Sequence, residues 1–72
     1  MNLNDEKLLE KIANLEHEQW IFWAKSLIKT EKRLNEDRVF RWESLFVPYS
    51  ELTESMKESD RVWARKVLEL LK

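Results

Sequence analysis

The fold is decided by residues 46–55, FVPYSELTES, where one helical pattern ends and another begins. Pro48 has no backbone N–H, and its ring disfavours helical geometry at Val47, so the chain has to bend here. Thr53 follows as a typical N-cap residue, because its side-chain oxygen can accept a hydrogen bond from the first turn of a helix. These residues predict a turn and then a helix over about residues 54–71.

Before this turn, apolar residues recur at intervals of three and four, which is typical of an amphipathic helix. Asn4 or Asp5 can cap its start, and the pattern predicts a first helix over about residues 5–32. A polar stretch follows, in which Asn35 or Asp37 can cap a second, shorter helix. That helix carries Val39, Phe40, Trp42 and Leu45. The sequence therefore predicts an all-α fold, a single domain over residues 1–72 with a long first helix, a short middle helix and a C-terminal helix.

The core predicted from this periodicity is small. Its members are Leu8, Ile12, Leu15, Trp23, Leu27, Phe40, Leu45, Val67 and Leu70, and the inward line of the third helix is Met56, Trp63, Val67, Leu70 and Leu71. A chain of 72 residues buries only about 60% of the surface that its unfolded form exposes. The centre of the first helix, around Phe22, is also apolar on every side. We therefore expect a homo-oligomer, with a ligand site within one chain or between chains.

The composition excludes several classes of function. The chain has no Cys, no Gly and one His, which excludes disulfides, cysteine-based or histidine-rich metal sites, and the glycine-rich loops that hold phosphates. A net charge of −1 argues against binding to a nucleic acid polymer. No apolar run is long enough to span a membrane, and the N-terminal residues do not resemble a signal peptide. These features predict a cytoplasmic protein.

Two polar residues fall on predicted apolar faces. His17 lies on the first helix, and Asp60 lies at or beside the inward face of the third, where a carboxylate is costly unless it is paired. His17 is a half-buried structural residue bonded to a backbone group or a carboxylate, a donor to a ligand, or a general base. In the structural interpretation, Asp60 pairs with His17 or an arginine and ties the third helix to the first. The serines lie in no nucleophile motif, and Glu16, Glu18 and Asp60 show no pairing of the kind that acid-base catalysis uses. We therefore expect no enzyme activity, no cofactor and no metal.

The aromatic and basic residues leave two interpretations open. Rings that fill a core and rings that stack on a base look the same in a sequence. Trp42 and Tyr49 are the better ligand candidates, because they flank the irregular segment. Four arginines either contact phosphate or are ordinary solvated or helix-pairing residues, namely Arg38, Arg41, Arg61 and Arg65. Arg61 stands apart because it adjoins Asp60.

Residues 47–64, VPYSELTESMKESDRVWA, resemble the RyR domain, a small helical module that is repeated in ryanodine receptors and occurs singly in bacterial and phage proteins. The shared pattern is a Pro-Tyr turn, a Leu, a Glu-containing cap, a Lys and an Asp-Arg pair before an Ala-containing helix. His17-Glu18-x-Trp20 is similar to the His-Glu-x-Trp motif of that family. Between the two motifs the family has a Gly-Trp turn and a short hairpin, whereas residues 29–46 contain no Gly and predict helix.

The resemblance implies a cluster of His17, Trp20, Tyr49, Lys57, Asp60 and Arg61. Trp42 is a further candidate contact, because it flanks the irregular segment. It also implies non-catalytic binding of a nucleotide or a nucleotide-derived signal such as a cyclic nucleotide or an ADP-ribose derivative. In a phage-encoded protein, this function would be sequestration of a defence messenger in the host cytoplasm. The alternative is a structural or protein-interaction module without a small-molecule ligand, which docks a partner through the Phe22 side of the first helix.

Overall fold

The computed structural model describes residues 2–71, and within this range the chain forms three α-helices and one 3-10 turn. Helix α1 spans Leu3–Thr30, α2 spans Glu36–Glu43, and α3 spans Glu54–Leu70. The 3-10 turn, Tyr49–Glu51, follows Pro48 directly. The prediction of an all-α fold with a long first, a short second and a C-terminal helix is confirmed.

The helix starts follow from local hydrogen bonding. The Asn35 side chain accepts hydrogen bonds from the backbone N–H of Asp37 at 2.8 Å and of Arg38 at 3.2 Å, which resolves the choice of cap for α2. Thr53 caps α3 as predicted. The predicted caps of α1 were wrong, because Asn2 lies before them and caps the helix. Leu45 also lies beyond the end of α2 rather than within it.

Helix α3 packs antiparallel against α1, and two alanines form the centre of the contact. Ala13 of α1 and Ala64 of α3 are fully buried, and such small side chains let two helix backbones approach closely. The other buried members of this core are Leu9, Tyr49, Leu52 and Leu68. The Pro48 turn thus returns α3 along α1 and adds Tyr49 and Leu52 to the same core.

Much of the predicted core was wrong, because the register of the buried face was misassigned. The large apolar residues that prove exposed are Leu8, Leu15, Trp23, Phe40, Trp63, Leu70 and Leu71. Ile12, Leu45 and Met56 are partly buried against the core. The buried line of α1 runs through Leu9, Ala13, His17 and Ala24, one residue on from the line that contains Leu8. Successive residues are rotated by about 100° around the helix axis, so the predicted face of α1 points to one side of its contact with α3. Among residues 2–71, no helix has the length and apolar character to cross a bilayer.

Candidate functional site

A half-open pocket of about 230 Å³ lies between α1, α3 and the segment that joins α2 to α3. It is lined by His17, Trp20, Leu45, Leu52, Met56, Ser59 and Asp60. Leu45, Leu52 and Met56 form apolar walls, and the indole of Trp20 forms an aromatic wall. The polar atoms belong to His17, Ser59 and Asp60. The pocket therefore combines an apolar interior with a few polar groups, as small-molecule sites do.

His17 is buried and connects the turn segment to both long helices. Its Nε2 lies 2.8 Å from the carbonyl oxygen of Val47. A carbonyl oxygen only accepts hydrogen bonds, so Nε2 carries a hydrogen atom and donates a hydrogen bond to the Val47 carbonyl oxygen. The other ring nitrogen, Nδ1, lies 3.7 Å from Asp60 Oδ2. The Val47 bond therefore directs Nδ1 towards Asp60, and the two side chains form an ion pair when the ring is protonated.

Asp60 lies at the polar end of the pocket and keeps 18% of its side-chain surface accessible. Burial raises the pKa of the Asp60 carboxyl above its usual value, positive charge on His17 opposes this shift, and the negative charge of Glu16 adds to it. Loss of water raises the free energy of the carboxylate, and a ligand that donates a hydrogen bond to it would lower that free energy again. Asp60 is thus a partly desolvated acceptor that faces a pocket.

Trp20 is held by other rings on several sides. The His17 ring stacks on it with centroids 6.1 Å apart and planes 18° from parallel. Phe46 packs on Trp20 at 5.8 Å, and Trp42 meets it edge-on at 6.1 Å. Trp42 also contacts Trp23 at 5.7 Å. These contacts restrict the orientation of the Trp20 ring, and Trp42 lies behind it as a support rather than in the pocket lining.

Tyr49 and Arg61 belong to a separate network centred on Glu10. The Tyr49 hydroxyl donates to Glu10 Oε2 at 2.5 Å, and Arg61 Nε donates to Glu10 Oε1 at 2.8 Å. Arg61 Nη1 also donates to Glu54 at 3.0 Å. Its charge is therefore compensated by carboxylates of the same chain, and its pKa is raised, first by the hydrogen bond to Glu54. Burial and the bond to Glu10 raise the pKa of the Tyr49 hydroxyl to about 12.

Lys57, whose side chain is largely covered, joins this network through Glu54. Its ammonium group lies 3.4 Å from Glu54 Oε1 and 5.6 Å from the centroid of the Tyr49 ring. Arg65 pairs with Glu58 through two hydrogen bonds of 2.6 and 3.0 Å, one turn further along α3. These contacts lower the pKa values of Glu54 and Glu58, mainly through the hydrogen bonds from Arg61 and Arg65 respectively. Lys57, Arg61 and Arg65 thus contact acidic residues of α1 and α3.

The structure divides the predicted site residues into two groups. His17, Trp20 and Asp60 line the pocket, with Trp42 packed behind Trp20. Tyr49, Lys57 and Arg61 lie in the Glu10 network. Sequence reasoning did not name the remaining pocket residues Leu45, Leu52, Met56 and Ser59 as ligand contacts, nor Glu10 as a partner.

A signal for two of the missed residues was present in the sequence. Glu10 precedes His17 by seven residues, which places both on one side of α1. Ser59 follows Met56 by three residues on α3, so the two side chains lie on neighbouring parts of one helix face. The pocket's leucines carried no such signal, because their position depends on how the turn folds back.

Within residues 2–71, no group of three or more acidic, cysteine or histidine side chains is arranged to hold a metal ion. The sequence matches no protein-family model, and neither a curated protein nor a solved structure gives a significant match.

Proposed function

We propose that this protein binds a nucleotide or a nucleotide-derived signalling molecule without converting it, and that the base occupies the Trp20 pocket. The observation that carries the proposal is the half-open pocket in which the Trp20 ring faces apolar walls and Asp60 supplies a partly desolvated acceptor. A planar base offers a π-face for stacking on the indole, and stacking on an aromatic side chain contributes about 1–3 kcal/mol per base.

The size of the pocket favours partial insertion of the ligand. Its volume of about 230 Å³ is below the range of about 300–1,000 Å³ for sites that enclose a drug-sized molecule. The pocket suits a group the size of a base, with sugar and phosphate outside the opening. Cyclic nucleotides and ADP-ribose derivatives present such a base at one end of a larger polar molecule.

The polar groups favour a base with an exocyclic amine. An ionised Asp60 carboxylate only accepts hydrogen bonds, so it selects an amine or a hydroxyl over a carbonyl. The Ser59 hydroxyl can donate or accept at the same wall. An adenine-like base therefore matches the pocket better than one that presents a carbonyl to Asp60.

We expect contacts to phosphate to contribute less to the binding free energy than contacts to the base. Arg61 and Lys57, the residues that the resemblance implies, already contact Glu54. A phosphate that used them would have to compete with this carboxylate. We therefore expect that affinity depends more on the base than on the number of phosphates.

The resemblance proposed from the sequence agrees with this function, because His17, Trp20 and Asp60 come from the two RyR-like stretches and line one pocket. Binding without conversion agrees with the arrangement of His17, whose ring nitrogens are directed at Val47 and Asp60. In a phage-encoded protein, this binding would sequester a signalling nucleotide of the host.

The test is native mass spectrometry and calorimetric titration with a panel of adenine nucleotides, guanine nucleotides, cyclic nucleotides and ADP-ribose. The blocking variant is Ser59→Leu, which adds an apolar group to the pocket wall at an exposed position. Ser55→Leu is the matched control, since it adds the same group at an exposed position of α3 outside the pocket lining. We expect an added mass of nucleotide size with the wild type and Ser55→Leu, and a loss of binding of at least about tenfold with Ser59→Leu.

A second pair of variants tests the acceptor. Asp60→Asn keeps the shape of the side chain and introduces an amide donor, whereas Asp37→Asn makes the same change at an exposed position of α2. Weaker binding in Asp60→Asn alone supports the proposal. If no member of the panel binds, or if Ser59→Leu and Ser55→Leu bind equally, the ligand-binding proposal is wrong. The alternative of an interaction module, which the exposure of Phe22 favours, then gains support.

A further inference from the structure

The chain exposes more surface than a compact monomer of its mass. Its accessible surface is 5858 Å², whereas a folded monomer of 8.9 kDa exposes about 4,800 Å². The excess of about 1,000 Å² is similar to the roughly 800 Å² that each partner buries in a stable protein interface. The extents of 45 × 23 × 14 Å describe a flat molecule with one short dimension. Such a shape leaves the outer sides of its helices uncovered.

One of these uncovered sides is an apolar line along α1, which we call the α1 seam and define by Leu8, Leu15 and Phe22. The three residues follow one another at intervals of seven, so they lie along one line of the helix with a drift of only about 20° per step. Leu15 is 61% and Phe22 is 76% exposed. The seam is about 21 Å long at 1.5 Å per residue. Ala13, at the centre of the contact with α3, lies on a different side of α1.

We propose that the α1 seam binds a second copy of this chain in an antiparallel, two-fold symmetric dimer. The seam is symmetric about its middle residue, since Leu8 and Phe22 each lie seven positions from Leu15. A two-fold axis through Leu15 therefore places Leu15 against its counterpart and Leu8 against the Phe22 position of the other copy. An interface that uses the same patch on both chains needs this self-complementarity.

The charges along α1 favour the antiparallel orientation. The first half of the helix, residues 3–18, has a net charge of −3, from five acidic and two basic residues. Residues 19–30 have a net charge of +2, from Lys25 and Lys29. Antiparallel pairing brings the acidic half of each helix against the basic half of the other. The two helix dipoles then run in opposite directions, which is also favourable. Parallel pairing in register would bring like charges together.

A specific pair of charges flanks the seam. Lys11 and Glu18 lie on the same flank of α1, three residues after Leu8 and Leu15 respectively, and both are exposed. With the axis at Leu15, Lys11 of one chain lies within one residue, about 1.5 Å, of the height of Glu18 in the other. The two-fold rotation keeps Lys11 and Glu18 of both chains on the same flank of the interface. Lys11 of each chain therefore meets Glu18 of the other, and the dimer contains this ion pair twice. The dimer proposal does not depend on the identity of the bound ligand.

The first test measures the oligomeric state by sedimentation and native mass spectrometry over a range of protein concentrations. We expect a concentration-dependent dimer in the wild type. Leu15→Glu places two carboxylates at the two-fold axis and should raise the dissociation constant by about thirtyfold or more. Leu70→Glu makes the same change at an exposed position of α3 and should leave the dimer intact, with circular dichroism as the control for folding.

The second test identifies the orientation through charge reversal. Lys11→Glu and Glu18→Lys should each weaken self-association, because each places like charges together across the antiparallel interface. An equimolar mixture of the two single variants restores both opposite-charge contacts, so a heterodimer should form in preference to either homodimer. A wild type that stays monomeric at all concentrations overturns the proposal. So does a dimer that Leu70→Glu dissociates and Leu15→Glu does not, or a mixture without preferential heterodimers.

Discussion

Replacing Glu10 by Gln should change the titration of Tyr49 in a way that can be read directly. The sequence contains one tyrosine, so the tyrosinate absorbance reports on Tyr49 alone. Burial, the hydrogen bond to Glu10 and the Glu10 charge raise its pKa to about 12. In Glu10→Gln the charge and the strong acceptor are removed, while burial, the largest cause, remains. We expect the Tyr49 pKa to fall below about 12 but to stay above the ordinary value of 10.0.

The same shift has a consequence for stability at high pH. A group whose pKa is raised in the folded state stabilises the fold fully below its unfolded pKa, and that contribution is lost as the pH rises through the folded pKa. For Tyr49 the window is from pH 10 to about 12. The rise of the Tyr49 pKa from 10.0 to about 12 corresponds to roughly 2–3 kcal/mol as an upper limit. Water around the half-exposed Glu10 carboxylate reduces this figure.

The assay combines an absorbance titration of Tyr49 with circular dichroism at each pH, so that unfolding is separated from ionisation. Glu6→Gln is the matched control, because it removes one exposed carboxylate in the first turn of α1. We expect Glu6→Gln to titrate like the wild type. If the folded wild type titrates at its ordinary value, or if Glu10→Gln and Glu6→Gln give the same curve, the assigned network is incorrect.

Three further predictions concern packing, capping and acid stability. Ala64→Leu overpacks the helix contact and should destabilise the fold by about 1–3 kcal/mol, a fall in Tm of about 4–8 °C per kcal/mol, whereas Leu70→Ala at an exposed position should have little effect. Asn35→Ala removes the acceptor for two backbone N–H groups of α2 and should cost about 0.5–2 kcal/mol, measured by urea unfolding. The lowered pKa values of Glu54 and Glu58 imply that their stabilising contribution is complete above the ordinary value of 4.5 and is lost as the pH falls through the folded values. The double variant Glu54→Gln/Glu58→Gln should therefore show a shallower loss of stability in acid than the wild type.

The parts of the fold that local chemistry determines could be predicted from the sequence. Pro48 and the caps Asn35 and Thr53 act within a few residues, so the turn and the starts of α2 and α3 were identifiable. The buried register of α1 was not, because Leu8 and Leu9 are both apolar and adjacent. Which of them faces inward depends on where α3 lies, and α3 packs where Ala64 permits close approach.

The site was predictable to a similar extent. A histidine and a carboxylate on otherwise apolar faces predicted a polar contact between helices, and His17 does face Asp60. The partner of Arg61 was not predictable in the same way, since Glu10 lies 51 residues away and is one of several carboxylates on α1. Long-range ion pairs depend on the angle at which two helices pack, and a single sequence does not specify that angle.

Asp60 and Arg61 are adjacent in the chain but have different surroundings, and this separates their effects on binding and stability. Successive residues of a helix point about 100° apart, so Asp60 faces His17 and the pocket while Arg61 faces Glu10 and Glu54. Loss of the Arg61 guanidinium leaves the partly buried Glu10 carboxylate without a cation, which costs stability even in the absence of ligand. Loss of the Asp60 charge removes a desolvated carboxylate, so the fold tolerates it while the pocket loses its acceptor. A binding defect in an Asp60 variant is therefore direct evidence on the pocket, whereas the same defect in an Arg61 variant must first be separated from unfolding.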